Sequence, residues 1–85
     1  MSYQILYKKS ASKELLQLPF NKAILVKKAI NQLSEVSRPK GCKKLKGTTN
    51  AYRIRIGDYR VVYEIYDNVL TVMIIKIAHR QSVYR

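Results

Sequence analysis

Apolar and polar positions follow two different periods along this chain, and the change from one to the other divides it near its middle. From Tyr3 to Tyr7 aromatic and branched residues alternate weakly, which predicts a first strand followed by Lys8, Lys9 and Ser10. Ser10 reads as an N-cap. After it, Ala11, Leu15 and Leu18 recur at helical spacing with Glu14 in the first turn, so a short helix should end near Pro19. A second helix is expected from about Phe20 to Val36, before the break at Arg38, Pro39, Lys40 and Gly41. Plotted at about 100° per residue, Ala23, Leu25, Val26, Ala29, Ile30, Leu33 and Val36 share one broad arc. Asn21, Lys27, Lys28, Asn31, Gln32, Ser34 and Glu35 occupy the other, with Phe20 and Ile24 straying onto the polar side and Lys22 onto the apolar one. A helix divided in this way must lie against a flat apolar surface.

The second half supplies that surface with a period of two. Lys43 to Lys46 reads as a short strand and Gly47 to Asn50 as a turn. Longer strands are expected at Ala51 to Ile56, Tyr59 to Tyr66 and Val69 to Ile77. The two-residue loops Gly57-Asp58 and Asp67-Asn68 would join them into an antiparallel meander. The fold class is therefore α+β, with two N-terminal helices packed on one face of a small, mostly antiparallel sheet in a single domain.

Closing the first hairpin at Gly57-Asp58 places Ile56 opposite Tyr59 and Arg55 opposite Arg60. Tyr52, Ile54, Ile56, Tyr59, Val61, Tyr63 and Ile65 then share the face under the helices, while Arg53, Arg55 and Arg60 share the other, which should be open. Opposed residues sit about 5 Å apart, where two unit charges repel by roughly 1 kcal/mol in water and about 3 kcal/mol at a surface-like dielectric. Folding gains nothing from such a pair. A single arginine on a solvated strand is ordinary; three together are what a phosphoryl-transfer site needs, because fixed positive charge stabilises a pentavalent phosphorane. Pairing through Asp67-Asn68 would set Ile75 opposite Arg60, so that His79 and Arg80 emerge at the rim of the same patch, with Tyr84 just beyond.

Charge sharpens this picture. The 85 residues carry 17 Lys and Arg against 5 Asp and Glu, a formal net charge of +12 that favours nucleic acid, an anionic membrane or an acidic protein as partner. A basic structural protein, such as one of the ribosome, carries similar charge. Cys42 is the one cysteine, which excludes an internal disulfide and a CxxC motif and fits a reducing cytoplasm. No signal-peptide run opens the chain, and the longest apolar stretch, Val69 to Ile75, is too short to span a bilayer.

Four segments together resemble the RelE family of bacterial toxin ribonucleases, within the RelE/ParE superfamily. They are Lys43-Lys44-Leu45-Lys46-Gly47, Ala51-Tyr52-Arg53-Ile54-Arg55-Ile56, Asp58-Tyr59-Arg60-Val61-Val62-Tyr63, and His79-Arg80 with Val83-Tyr84. The resemblance covers nearly the whole chain. It implies a toxin neutralised by a cognate acidic antitoxin, which enters the ribosomal A site and cleaves messenger RNA by attack of the ribose 2′-hydroxyl on its own 3′ phosphate, with no metal and no cofactor. Arg60, Arg80 and Tyr84 match family positions directly, whereas Arg53 and Arg55 stand where the family often has lysine. Arginine stays protonated, so Arg53 and Arg55 suit charge stabilisation better than proton abstraction. The expected catalytic set is Arg53, Arg55, Arg60, Arg80 and Tyr84. His79 is a further candidate because its ordinary pKa lies near neutrality, and Lys43, Lys44, Lys46 and Arg85 are expected to contact RNA. Two other readings are a ParE-like toxin acting on DNA gyrase and a non-catalytic basic RNA-binding protein.

Overall fold

The computed structural model describes residues 2–79. Strand β1 (Gln4–Tyr7) leads into helices α1 (Lys9–Leu16) and α2 (Phe20–Gln32), followed by strands β2 (Lys43–Lys44), β3 (Ala51–Ile56), β4 (Tyr59–Tyr66) and β5 (Thr71–His79). The expected α+β architecture is present, with two helices beside one five-stranded sheet of order β1-β5-β4-β3-β2. Every neighbouring pair is antiparallel except β1 with β5, which run parallel from Gln4 beside Thr71 to Tyr7 beside Ile74.

Both helix starts differ from simple capping. Lys8, not Ser10, is the N-cap of α1, and Ser10 lies inside the helix, because Lys8 is already fixed by donating its N–H to the Ile74 carbonyl (2.9 Å). Pro19 opens α2, its carbonyl accepting from the N–H groups of Lys22 (2.9 Å) and Ala23 (2.8 Å). α2 stops at Gln32, four residues short of expectation. Its pattern continues as turns in which the Val36 N–H still reaches the Gln32 carbonyl at 3.0 Å.

The predicted core face is the real one. Val26, Ile30 and Leu33 of the second helical segment meet Ile54, Val61, Tyr63, Ile65, Val72, Ile74 and Ile77, with Ala11 of α1 closing the cluster. Tyr52, Ile56 and Tyr59 pack partly buried against it. Leu25 and Val36 miss the core and are exposed, as are Phe20 and Ile24 on the outer side. The buried Tyr63 hydroxyl donates to the Ser37 carbonyl (2.9 Å), and burial pushes its pKa up, so the phenol stays a donor.

The β4–β5 connection is longer than two residues. Asp67–Val69 form a turn of 3-10 helix and Leu70 adopts a left-handed φ of 46°, so β5 begins at Thr71 rather than Val69. The turn is anchored from outside: the Asp67 carboxylate takes hydrogen bonds from Arg38 (2.9 and 3.4 Å) and from the Tyr3 hydroxyl (2.5 Å). Arg38 also donates to the Tyr52 hydroxyl (3.1 Å) and lies 5.2 Å from that ring's centre. One arginine thereby joins the α2–β2 loop to β3 and the β4–β5 turn, and the shared Asp67 carboxylate ties in Tyr3 just before β1.

The Arg38 and then the Tyr3 hydrogen bonds hold the Asp67 carboxyl below the ordinary carboxylate range. A depressed folded-state pKa contributes stability that is present above the unfolded value of about 4 and is lost as pH falls through the folded one. Asp67→Asn should therefore melt below the parent at neutral pH, with the gap closing as the pH falls below about 4. Thermal melts across that range check this, and a gap independent of pH would refute it.

Candidate nucleic-acid interface

The first hairpin closes as expected. Gly57 sits at φ 59°, the left-handed conformation that a glycine-first two-residue turn requires, and it sets Ile56 opposite Tyr59 and Arg55 opposite Arg60. Cross-strand partners project to the same side of a sheet, so the ladders define its surface away from the core. One row across it reads Lys43, Arg53, Val62, Lys76, and the next reads Arg55, Arg60, Ala78. Five cations thus stand on this surface, and among its strand residues Glu64 is the one carboxylate. Glu64 is engaged elsewhere, accepting the Tyr66 hydroxyl at 2.6 Å.

Exposure is graded across the cluster. Arg55 is exposed, Arg53 half-buried, and Arg60 buried at 4 % exposure. The expectation of an evenly open arginine face is thus corrected. Arg60 lies on the fourth of five strands in sequence and has neighbours on both sides, while Arg55 stands at the hairpin end of β3. Neither Arg53 nor Arg55 forms an ion pair; the ion pairs among the described residues are Arg38 with Asp67 (2.9 Å) and Lys76 with Glu14 (3.2 Å). A buried guanidinium keeps its charge and gives up motion, which suits a group that must meet a phosphate in one orientation.

Register on the far side of Arg60 also differs from expectation. Ala78, not Ile75, is its partner, because the longer β4–β5 turn shifts the ladder and a bulge beside Val62 and Tyr63 inserts one further residue. Ile74 faces Tyr63 and Lys76 faces Val62, so Ile75 is the unpaired residue. The same shift moves His79 off the cation cluster. It pairs with Tyr59 and meets that ring edge-on (centres 5.4 Å apart), on the helix side, in a hollow shared with Glu14, Gln17, Leu18 and Pro19.

Lys43 joins the cluster, whereas Lys44 pairs with Tyr52 and so belongs to the opposite side; Lys46 is exposed in the following turn. Arg80, Tyr84 and Arg85 lie outside the described residues. The sequence reading passed over Lys76, which shares the cation surface only because of the bulge, and Glu14, whose carboxylate reaches it. An unpaired branched residue preceding a lysine offers no signal that separates a bulge from regular alternation.

A cleft of about 660 Å³ opens elsewhere, between Ala29, Leu33 and Val36, the loop at Pro39 and Gly41, and Ile54 and Ile56 of β3. Its walls are mostly apolar, but Lys40 and Arg55 line it too, so Arg55 borders both the cleft and the cation surface. Among the described residues no three of His, Cys, Asp and Glu gather as metal ligands would.

This fold and surface have relatives. The family model described as ParE toxin of type II toxin-antitoxin system, parDE, matches residues 5–84. A protein of Methanocaldococcus jannaschii assigned as toxin RelE1 is 32% identical over 88 residues, covering 100% of this chain and 98% of its own. The chain is a type II toxin of the RelE/ParE superfamily. Among solved structures, a free arginine-to-alanine double mutant of Escherichia coli toxin RelE superposes with a TM-score of 0.83 at 26% identity, over 99% of this chain and 90% of that one. The archaeal RelE-RelB complex from Pyrococcus horikoshii contains a chain matching with a TM-score of 0.79 at 32% identity, over 94% and 97%.

The toxin carries the Arg55–Arg60 repulsion at some cost to folding. Arg55→Gln should leave thermal stability unchanged or raise it, by up to about 1 kcal/mol, since the exposed partner is screened by water. Denaturant titration measures this. A loss exceeding about 1 kcal/mol would mean that Arg55 supports the fold instead.

Proposed function

We propose that this RelE/ParE toxin is a ribosome-dependent endoribonuclease that cleaves messenger RNA in the A site and so inhibits translation. The carrying observation is the opposed pair Arg55 and Arg60, flanked by Arg53 and Lys43, on the sheet surface away from the helices. In this reading the ribose 2′-oxygen forms a bond to the adjacent phosphorus while the bond from phosphorus to the 5′ oxygen breaks. The products are a 2′,3′-cyclic phosphate and a 5′-hydroxyl. Arg60 holds the scissile phosphate, and Arg53 and Arg55 stabilise the added negative charge of the phosphorane. Arg80 stabilises or protonates the departing 5′ oxygen, and Tyr84 stacks on a nucleotide base.

The proton of the 2′-hydroxyl goes to solvent or to the ribosome, since arginine is a poor acceptor and His79 lies on the other side of the sheet. Such a catalyst depends on its RNA being bent into line for attack, and a ribosome that holds the messenger supplies that geometry. Activity on free RNA should be weak. The protein acts in the cytoplasm. A cognate acidic antitoxin is its second partner, by charge complementarity with the +12 chain and by likeness to the RelE found with RelB in Pyrococcus horikoshii.

A second reading is a ParE-like toxin acting on DNA gyrase, and the ParE name of the matching family model is what favours it. Two assays divide them. On ribosomes carrying messenger, the protein should generate fragments with cyclic phosphate and 5′-hydroxyl ends, and Arg80→Ala or Tyr84→Ala should slow cleavage by about a hundredfold. Gyrase supercoiling should be untouched. Undiminished cleavage and growth inhibition by both variants would remove the assigned roles, and inhibited supercoiling without cleavage would install the gyrase reading.

A further inference from the structure

β1 ends at Tyr7, beside Ile74, but β5 runs on to His79. Among the described residues no strand lies next to its outer edge beyond Ile74, and the bulged Ile75 falls where this stretch begins. Outward N–H groups on such an edge need a partner, and a sheet frays where they find none. Glu14 of α1 fills the place of the missing strand. Its Oε1 accepts the Ile77 N–H at 2.9 Å, as a neighbouring carbonyl would, and its Oε2 meets Lys76 Nζ at 3.2 Å.

Only three ladder steps follow the bulge and its Lys76–Val62 pair: Ile77 with Val61, Ala78 with Arg60, His79 with Tyr59. The Glu14 bonds fall immediately before the step that seats Ala78 beside Arg60. Sliding by one residue is blocked, because it would turn Lys76 into the core in place of Ile77. Loss of Glu14 would instead let the strand end lift away, freeing one flank of the buried Arg60.

We propose that Glu14 is a positioning residue for the cation cluster, holding the end of β5 so that Arg60 is walled on both sides. This assignment rests on the nuclease reading. Glu14 touches neither RNA nor the reacting atoms in it; it acts through β5.

The test uses the whole chain with Glu14→Ala, Glu14→Gln and, as a control for ordinary destabilisation, Ser34→Ala, which removes the 2.7 Å bond to the Tyr3 carbonyl at the far end of the molecule. Hydrogen exchange at the Ile77 amide should quicken about tenfold or more in Glu14→Ala. On ribosomes its kcat should fall about tenfold with KM nearly unchanged, because geometry rather than affinity is lost. Glutamine keeps an oxygen that can accept from Ile77, so Glu14→Gln should restore both protection and most of the rate. Ser34→Ala should lose thermal stability without slowing cleavage.

Three results would overturn the assignment: cleavage by Glu14→Ala at the parent rate, an equal slowing in Ser34→Ala, or failure of glutamine to rescue. If the parent cuts and Glu14→Ala cuts as fast, the role of Glu14 falls alone. A parent protein that cuts no messenger brings down the nuclease reading and this one with it.

Discussion

Two residues, Gly57 and Asp58, oblige Arg55 and Arg60 to face each other, and most of what the surface can do follows from that closure. A longer loop would let the strands slip and the charges separate; a two-residue turn with glycine at φ 59° fixes the register, and a period of two then assigns every side chain of β3 and β4 to one side or the other. The apolar set goes under the helices, with Val61 and Tyr63 wholly buried, and the arginines go to the opposite side. Burial of one set therefore holds the other in place. The charge repulsion is sustained by core packing that has no chemistry of its own.

What the amino-acid pattern revealed and what it hid have physical causes. β3 and β4 were legible because glycine marks their turn and the alternation across it is unbroken. Their pairing is as expected, down to Ile56 beside Tyr59. β5 was misplaced because Asp67-Asn68 has the composition of a tight turn but is drawn into a 3-10 turn by Arg38 and Tyr3, which come from distant parts of the chain. The bulge at Ile75 compounds the shift. Together they replaced Ile75 by Ala78 beside Arg60 and put His79 next to Tyr59. Long-range hydrogen bonds and bulges leave no periodic trace, so the cation surface was readable on two strands and misread on the third.

The two sides of the sheet divide the labour of the toxin. Helices, core and the mainly apolar cleft near Pro39 occupy one side; Lys43, Arg53, Arg55 and Arg60 occupy the other. The cation surface and the apolar cleft thereby adjoin, with Arg55 bordering both, on a chain whose Cα radius of gyration is 12.0 Å. Arg60 differs from its neighbours in being both charged and buried. The cost of desolvating it has been met at folding.

The parallel pairing of β1 with β5 joins Gln4 to Thr71, residues near opposite ends of the chain. Contacts so far apart in sequence form late, because a long stretch of backbone must be ordered before they can close. During synthesis the first strand waits without a mate until β5 has left the translating ribosome, and Arg60 waits with it for Ala78. A chain stopped before β5 would leave the first strand without its parallel mate and Arg60 without Ala78 at its side.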